Sequence, residues 1–176
     1  TNGSLTPRDV TFGTKRKVWW RCEKGHTWRV SVQSRTLDGT GCPVCAGRVI
    51  VPDENDMASQ FPELAREWHP EKNGTLLPSQ VAPASKRRVW WLCPVGHTYA
   101  AAVGARTGQG SGCPYCAGKR VLAGFNDLAT TQPRVAAQWH PALNGTLTPR
   151  DVTFGTKHKV WWRCAKGHSW RVSVQS

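Results

Sequence analysis

The sequence repeats with a fixed period of 71 residues, and each complete period carries the same set of metal-ligand residues. A C-x3-H pair is followed, after fifteen intervening residues, by a C-x2-C pair. Two short pairs held apart by a turn-forming stretch can converge on one tetrahedral ion, the arrangement that Zn²⁺ prefers in structural sites. The complete sets are Cys22, His26, Cys42, Cys45 and Cys93, His97, Cys113, Cys116, and a third copy contributes Cys164 and His168.

The three copies are not equally alike. Residues 5–34 are identical to residues 147–176 at 27 of 30 positions, but to residues 76–105 at only 13. The sequence begins with Thr rather than Met, and we expect it to be a piece of a longer array. The expected domains are repeat 1 at 1–50, truncated at its N-terminus, repeat 2 at 51–121 with its preceding helices, and repeat 3 at 122–176, truncated at its C-terminus with half a zinc site.

A β-hairpin is predicted in every copy. The segment from Lys17 to Cys22 is rich in aromatic and β-branched residues, which is typical of a strand. Gly25 allows the tight turn that follows, because glycine tolerates a positive φ. Alternating apolar residues predict a second strand from Trp28 to Gln33.

The two faces of the first strand are predicted to differ. Alternation places Val18 and Trp20 on the side of the metal ligand. Lys17, Trp19 and Arg21 then share the opposite face. Because large aromatic residues are usually buried, we expect Trp19 to pack against the helix that precedes a complete hairpin.

Two short helices are predicted between each C-x2-C pair and the next hairpin. The pairs Asn55-Asp56 and Asn126-Asp127 stand where helix N-caps belong. A proline six residues later suits the first turn of a second helix, which we expect over residues 63–68 and 134–139. A Trp-His-Pro sequence ends this helix, and we expect its His to have a structural role there, capping carbonyls or packing on an aromatic ring.

Zinc fits these residues better than the alternatives. The seven cysteines are an odd number, and a disulfide framework does not require a His that repeats with the Cys. An iron–sulfur cluster draws on four thiolates rather than three. Four protein ligands complete a tetrahedral shell and leave no position for a reactive water, so we expect two structural Zn²⁺ ions and an incomplete third site.

The motifs VWW-x-C-x2-GH-x-W and GCP-x-C-AG, preceded by WHP-x2-NG-x-L-x-P, resemble a family of zinc-ribbon domains. Its members are similar to treble-clef fingers and occur in tandem in bacterial and plant proteins, some attached to endonucleases of the very-short-patch-repair or restriction type. The resemblance covers nearly the whole chain and implies small α+β zinc-stabilised modules, each a β-hairpin with zinc knuckles, joined by short helices. It also implies the two complete ligand sets and DNA binding. Tyr99 departs from the motif, since a Trp is usual there.

The charge balance points to a polyanionic partner. Twenty-four Lys and Arg residues face 11 Asp and Glu residues, a formal net charge of +13, which two Cys3His zinc sites lower by about two. Six of the eleven acidic residues lie between Asp53 and Glu71, so the hairpins are more basic than the average. We expect double-stranded DNA as the partner, with structured RNA or a protein as alternatives, and neither a membrane nor a small-molecule substrate.

The candidate nucleic-acid contacts are basic or amide side chains that recur with the period. We expect the basic clusters before each first strand, together with Arg35 and Arg106, to hold phosphates. Positions 21, 29 and 33 would read sequence or shape, because the middle copy carries Leu92, Ala100 and Gly104 there. The candidates are Lys15, Arg16, Lys17, Arg21, Arg29, Gln33, Arg35, Lys86, Arg87, Arg88, Arg106, Lys157, Lys159, Arg163, Arg171 and Gln175.

No catalytic constellation recurs with the period. The sequence shows no Ser/His/Asp set, no phosphate-binding glycine loop and no paired carboxylates at repeated positions. We therefore expect a binding protein rather than an enzyme. Reduced, metal-binding thiols and the lack of a signal segment predict a cytoplasmic location, associated with the nucleoid if the chain binds bacterial DNA.

Overall fold

The computed structural model describes residues 1–175, and its strands form three hairpins, each a separate two-stranded sheet. One hairpin per copy confirms the predicted repetition. The strands are β1 (Lys17–Arg21) with β2 (Thr27–Ser31), β3 (Arg88–Leu92) with β4 (Thr98–Ala102), and β5 (Lys159–Arg163) with β6 (Ser169–Ser173).

Short helices connect the hairpins. Two 3-10 turns, Pro7–Asp9 and Pro78–Gln80, precede the first two hairpins. The α-helices found within residues 1–175 are α1 (Val32–Thr36), α2 (Met57–Gln60), α3 (Pro62–Ala65), α4 (Val103–Thr107), α5 (Leu128–Thr131) and α6 (Pro133–Ala136). No helix in the described part of the chain is long and apolar enough to cross a membrane.

The chain forms two compact units, and their boundary runs through the loop end of the second hairpin. The first unit contains Thr1–Leu92 and Ala100–Gly110. The second contains Cys93–Tyr99 and the chain from Ser111 onward. Each unit therefore contains one complete set of four ligand residues.

The two faces of the first strand differ as predicted. In the antiparallel register of β1 and β2, Trp19 lies opposite Arg29 and Trp20 opposite Trp28. The side chains of Lys17, Trp19 and Arg21 are exposed, whereas their neighbours on the inner face are partly buried. Hairpin three has the same register.

The second strand is shorter than predicted. β2 ends at Ser31, whose hydroxyl accepts a hydrogen bond from the Ser34 backbone N–H at 3.1 Å and so caps α1. Val32 is buried in a helix rather than in a strand, so alternation alone did not distinguish the two. Gln33 therefore lies on α1, off the strand face that carries Arg29, and Gln175 likewise follows the end of β6.

The helix caps confirm one prediction and the helix lengths correct another. The Asp56 carboxylate accepts from the Ser59 backbone N–H at 2.9 Å, and Asp127 caps α5 in the same way. α3 and α6 have four residues each and end earlier than predicted. After each of these helices a single tryptophan forms an isolated antiparallel bridge with the hairpin, Trp68 with Trp91 and Trp139 with Trp162. Beside the first bridge the Leu92 N–H donates to the Glu67 carbonyl at 2.7 Å.

Tryptophan packing in copies two and three, which have a preceding helix pair, differs from the prediction. Trp68, three residues beyond α3, packs edge-to-face against Trp91, with ring centroids 5.5 Å apart, and Trp139 packs against Trp162 at 5.4 Å. The second Trp of each pair therefore forms the core. The first Trp lies outside it: Trp90 is 40% exposed and Trp161 is partly buried, and in hairpin one Trp19 is 46% exposed. The alternation of the strand decides this, because only the second Trp shares a face with the metal ligand.

An asparagine side chain fixes each hairpin to the turn before it. The Asn73 amide accepts from the Trp90 backbone N–H at 2.8 Å and donates to the Trp90 carbonyl at 2.9 Å. Asn2 binds the backbone of Trp19, and Asn144 the backbone of Trp161, in the same manner. One side chain thus supplies both hydrogen bonds of a strand residue.

The histidines of the two Trp-His-Pro sequences have a structural role, but not by capping carbonyls. The Nδ1 atom of His69 accepts from the backbone N–H groups of Glu71 and Lys72, at 3.3 and 3.2 Å. His140 makes the equivalent pair of bonds. Each His therefore orders the turn that leads to the clamping Asn.

Candidate metal centres

The first ligand pair lies at the loop end of the hairpin. Cys22 follows β1 and His26 precedes β2, and the Cys22 N–H donates to the His26 carbonyl at 3.0 Å. Gly25 donates to the Cys22 carbonyl at 2.9 Å with a φ of 90°, which confirms the predicted positive φ. The hairpin loop therefore brings both side chains to the same side.

The second pair lies on a tight loop after α1. The N–H of Ala46 donates to the Cys42 carbonyl at 3.0 Å, and that of Gly47 to the Val44 carbonyl at 2.9 Å. These turns bend the chain around the two thiols. Cys42 is buried and Cys45 is exposed.

The four ligand atoms of the first set have the spacing of a tetrahedral site. His26 Nδ1 lies 3.3 Å from Cys22 Sγ, 3.5 Å from Cys42 Sγ and 3.3 Å from Cys45 Sγ. The Sγ atoms of Cys22 and Cys45 are 3.8 Å apart. Around zinc, tetrahedral S···S and S···N edges are about 3.8 and about 3.6 Å, whereas a disulfide needs about 2.05 Å. The set fits one zinc ion.

The second set repeats this geometry. His97 Nδ1 lies 3.6 Å from Cys93 Sγ, 3.7 Å from Cys113 Sγ and 3.2 Å from Cys116 Sγ. The Sγ atoms of Cys93 and Cys116 are 3.9 Å apart. Both predicted ligand sets are thus assembled, with all ligand atoms of each set within 4.8 Å of one another.

Two thiols of the first set, those of Cys22 and Cys45, have different pKa values. Burial opposes ionisation of Cys22, but hydrogen bonds from the His26 backbone and from the neighbouring thiols lower its pKa to about 7. Burial, together with the thiols of Cys42 and Cys22, raises the pKa of Cys45 to about 11. Zinc has to displace protons from such a cluster when it binds.

The ligating histidines of the two sets differ in the residue that contacts the imidazole ring. The Nε2 atom of His26 contacts the Glu54 carboxylate, and this hydrogen bond raises the pKa of His26. A carboxylate in this position orients a ligating imidazole and increases its basicity. At the second set the ring of Phe125 packs edge-to-face on His97 at 4.2 Å instead.

An asparagine that the sequence pattern placed at a helix cap instead braces each metal loop. The Asn55 amide donates to the carbonyls of Val44 and Val49, at 2.7 and 2.9 Å, and its oxygen accepts from the Val51 N–H at 2.8 Å. Asn126 makes the equivalent bonds in the second unit. The recurrence of Asn before each capping Asp was the sequence signal for this role.

The third pair has two of the four ligands within residues 1–175. Cys164 Sγ lies 3.7 Å from His168 Nδ1, so the loop end of hairpin three matches those of the other two. His168 is exposed.

The predicted nucleic-acid contacts fall into two groups. The basic clusters that lead into β1, β3 and β5, each ending at the first residue of its strand, are exposed: Lys15, Arg16, Lys17, Lys86, Arg87, Arg88, Lys157 and Lys159. The outward faces of hairpins one and three carry a set that we call the outer row. It consists of Lys17, Trp19, Arg21 and Arg29 in hairpin one, and of Lys159, Trp161, Arg163 and Arg171 in hairpin three.

Two predicted phosphate contacts are part of the interior instead. Arg106 is 7% exposed, forms an ion pair with Glu67 and stacks over Trp91 at 5.1 Å. Arg35 is partly buried over Trp20, and its Nη1 donates to the Thr40 carbonyl at 2.5 Å. These arginines support the fold, since their position after the second strand is on a helix that turns back onto the aromatic core.

Hairpin geometry, two four-ligand sets and short capped helices define a tandem zinc-finger protein of the treble-clef class. A family model described as "Probable Treble clef zinc finger domain" matches residues 1–48, 64–119 and 135–176. The chain belongs to this family. No curated protein matches the chain.

Proposed function

We propose that this zinc-binding chain binds double-stranded DNA through the outer rows of its hairpins. The observation that carries the proposal is the recurrence of the same outward side chains in hairpins one and three. Cross-strand pairing sets Trp19 beside Arg29 and Trp161 beside Arg171. A flat aromatic ring with flanking cations suits a nucleic-acid surface.

The outer rows are electrostatically available. Within residues 1–175 the acidic side chains that form ion pairs are Glu54, Glu63 and Glu67, and their partners are His26, Arg66 and Arg106. None of the outer-row cations pairs with a carboxylate there. With a formal charge of +13 on the whole chain, these cations favour a polyanion.

The shape of the hairpins supports duplex DNA. A two-stranded β-ribbon is narrow enough to enter the major groove, which is about 12 Å wide. The exposed clusters before each first strand would contact phosphates and set the register, while Arg29 and Arg171 would reach base edges. The middle hairpin, with Leu92 and Ala100 at the corresponding positions, would make a weaker or different contact.

The proposed role is binding without catalysis, since each tetrahedral shell is filled by four protein ligands. The proposed setting is a reducing compartment that contains DNA, because three thiolates per site have to stay unoxidised.

Binding is tested by fluorescence anisotropy of the zinc-loaded protein with two unrelated DNA duplexes, single-stranded DNA and duplex RNA over a salt series. The test variant carries Arg21→Gln, Arg29→Gln, Arg163→Gln and Arg171→Gln. We expect tight binding to duplex DNA, and a log–log salt slope that becomes shallower by about 0.9 for each phosphate that the variant no longer neutralises. A preference between the two duplexes that disappears in the variant would support base readout.

A control variant removes the same charge from exposed positions outside the outer rows: Arg8→Gln, Arg66→Gln, Arg134→Gln and Arg150→Gln. We expect it to bind nearly as the unchanged chain does. Equal losses in both variants would mean that the charge acts generically. Stronger binding to RNA would favour the RNA alternative, and no binding to any nucleic acid would favour a protein partner for the exposed Trp residues.

A further inference from the structure

Two of the three copies carry an exposed phenylalanine at the tip of a turn. The Thr14 N–H donates to the Thr11 carbonyl at 3.1 Å, which places Phe12 and Gly13 at the two central positions of a β-turn. Copy three repeats this turn with Phe154 at its tip, closed by a hydrogen bond of 3.0 Å. Phe12 is 68% exposed and Phe154 is 62% exposed, although phenylalanine is among the residues most often buried. We call these two residues the turn-tip phenylalanines.

The elements that contact these turns do not cover the phenylalanine. In copy one the Thr36 hydroxyl, on α1, donates to the Phe12 carbonyl at 2.6 Å. In copy three Asp127, the cap of α5, forms a β-bridge with Thr153, the neighbour of Phe154. Within residues 1–175 neither phenylalanine ring packs against another aromatic ring. The backbone of each turn is therefore bound to its module, while the side chain at the tip stays in solvent.

Each turn is also anchored to the segment that follows the second strand of its hairpin. The Gln33 N–H donates to the Thr14 carbonyl at 3.0 Å, and the Gln175 N–H donates to the Thr156 carbonyl at 3.2 Å. A side chain on an anchored turn has little backbone freedom left to lose when it binds a partner. The turn-tip phenylalanines are thus presented in a form that is ready for binding.

Exposed cations follow each turn tip within three to five residues. They are Lys15, Arg16 and Lys17 after Phe12, and Lys157 and Lys159 after Phe154. Three residues of chain span at most about 11 Å, and the grooves of DNA are about 7.5 to 8.5 Å deep. An aromatic ring this close to a cation on a phosphate can therefore reach the stacked bases.

The middle copy keeps the turn but lacks the aromatic side chain. The Ser85 N–H donates to the Ala82 carbonyl at 3.0 Å, and Pro83 takes the place of the phenylalanine. Pro83 is partly buried. The turn-tip phenylalanines therefore occur in the two copies whose hairpins carry the outer rows, and not in the copy whose hairpin lacks one.

We propose that the turn-tip phenylalanines insert between adjacent base pairs of the duplex that the outer rows bind. This inference rests on the proposed function, because the cations of the same module would hold the phosphates beside the inserted ring. Apolar side chains such as Phe act as wedges that unstack a base step and kink the duplex by roughly 20–90°. Copies one and three each insert one ring, and copy two inserts none.

The test uses the zinc-loaded full chain and a set of short DNA duplexes in which 2-aminopurine replaces each adenine in turn. The fluorescence of 2-aminopurine rises when its stacking on neighbouring bases is lost, and it is read at saturating protein. The test variant carries Phe12→Ala and Phe154→Ala. The control variant carries Leu37→Ala and Leu77→Ala, which remove side chains of similar exposure, 57% and 54%, that are not at these turn tips.

We expect the unchanged chain and the control variant to raise the fluorescence at some positions of the duplex, and the test variant to lose this rise. Anisotropy should show that the affinity of the test variant for the duplex falls about tenfold or more, as when an aromatic side chain that stacks on a base is removed. The log–log salt slope should stay unchanged, because phenylalanine neutralises no phosphate. Circular dichroism and bound zinc per chain check that both variants are folded.

Tight binding to the duplex without a rise in fluorescence would overturn the inference and leave the proposed function standing, and so would an equal rise with the test variant. A test variant that lost affinity for single-stranded DNA but not for the duplex would overturn it in favour of stacking on unpaired bases. A chain that bound no duplex at all would contradict the proposed function and this inference together.

Discussion

At the residue scale, the two metal centres differ in the residue that contacts the ring of the ligating histidine. Glu54 contacts His26 Nε2, whereas Phe125 packs on the ring of His97. The two residues occupy equivalent positions of the repeat. The first centre therefore has a charged partner that orients the imidazole of His26. In the second centre an apolar ring packs on the imidazole of His97.

This difference predicts unequal effects of removing Glu54. Glu54→Ala is expected to weaken zinc binding at the first centre about tenfold, the usual loss for such a partner of a ligating His. Competition with a chromophoric chelator measures it in a Cys93→Ser background, which disables the second centre. Glu63→Ala, which removes an exposed carboxylate from α3, is the matched control and should leave the affinity unchanged. Equal affinities for all three proteins would show that Glu54 does not support the ligand.

Single residues also mark where sequence reasoning succeeds and where it stops. The ligand identities followed from spacing, because a C-x3-H and a C-x2-C pair have few ways to satisfy four coordinating atoms. The burial of Arg106 could not be predicted from the spacing of residues in the sequence. Its burial depends on the ion pair with Glu67, which lies 39 residues away, and no local sequence pattern predicts that pairing.

At the element scale, α2 depends on its N-cap. α2 has four residues, too few to be stable without its ends. The Asp56 side chain accepts from the Ser59 backbone N–H at 2.9 Å and from its hydroxyl at 2.8 Å. These hydrogen bonds lower the pKa of Asp56 against the effect of its burial.

Loss of this cap is expected to cost stability. Asp56→Ala should lower the free energy of unfolding by about 1 to 2 kcal/mol, while Asp56→Ser should retain most of it. Urea unfolding of the zinc-saturated proteins measures both. Because the folded pKa lies below the ordinary value, the contribution is fully present above a pH of about 4 and is lost as the pH falls through the lower folded value. A difference between Asp56→Ala and the unchanged chain that varied between pH 6 and 8 would contradict this assignment.

The elements show a second limit of sequence reasoning. The alternating pattern predicted a strand through Gln33, but a helix begins at Val32. An inward-facing Val suits the end of a strand and the start of a helix equally well. Ser31 was the available sign of a cap, yet Ala102 precedes α4 at the same position without a side-chain cap. Packing on the hairpin core, rather than the cap residue, decides that this helix forms.

At the scale of the whole molecule, each compact unit contains one centre and short elements around it. Units this small bury too little apolar surface to be stable without further support. Native mass spectrometry is expected to find two zinc ions per chain, and one after Cys42→Ser. Chelation should abolish the folded circular dichroism spectrum. Retention of that spectrum in the metal-free, reduced chain would contradict a structural role for the metal.

Acid should release the metal from both centres. The metal-free clusters bind protons that the zinc-bound thiolates do not, as the raised pKa of about 11 at Cys45 and of about 12 at Cys116 indicates. Zinc affinity is therefore expected to fall from pH 8 to pH 6, and chelator competition at the two pH values measures the change. An affinity that rose on acidification would mean that the thiols are not the ligands.

The asparagine clamp has a consequence for the order in which the protein is made. Asn73 and Asn144 bind strand residues that lie only 17 positions later in the chain. On the ribosome, each helix pair and its clamp emerge just before the strand that completes them, at about 5–20 residues per second. Each helix pair and the hairpin that follows it can therefore fold together outside the exit tunnel before the next module is synthesised. The segments that cover the strand edges of hairpins two and three precede those hairpins in the chain, so each of these edges can be covered as soon as it is synthesised.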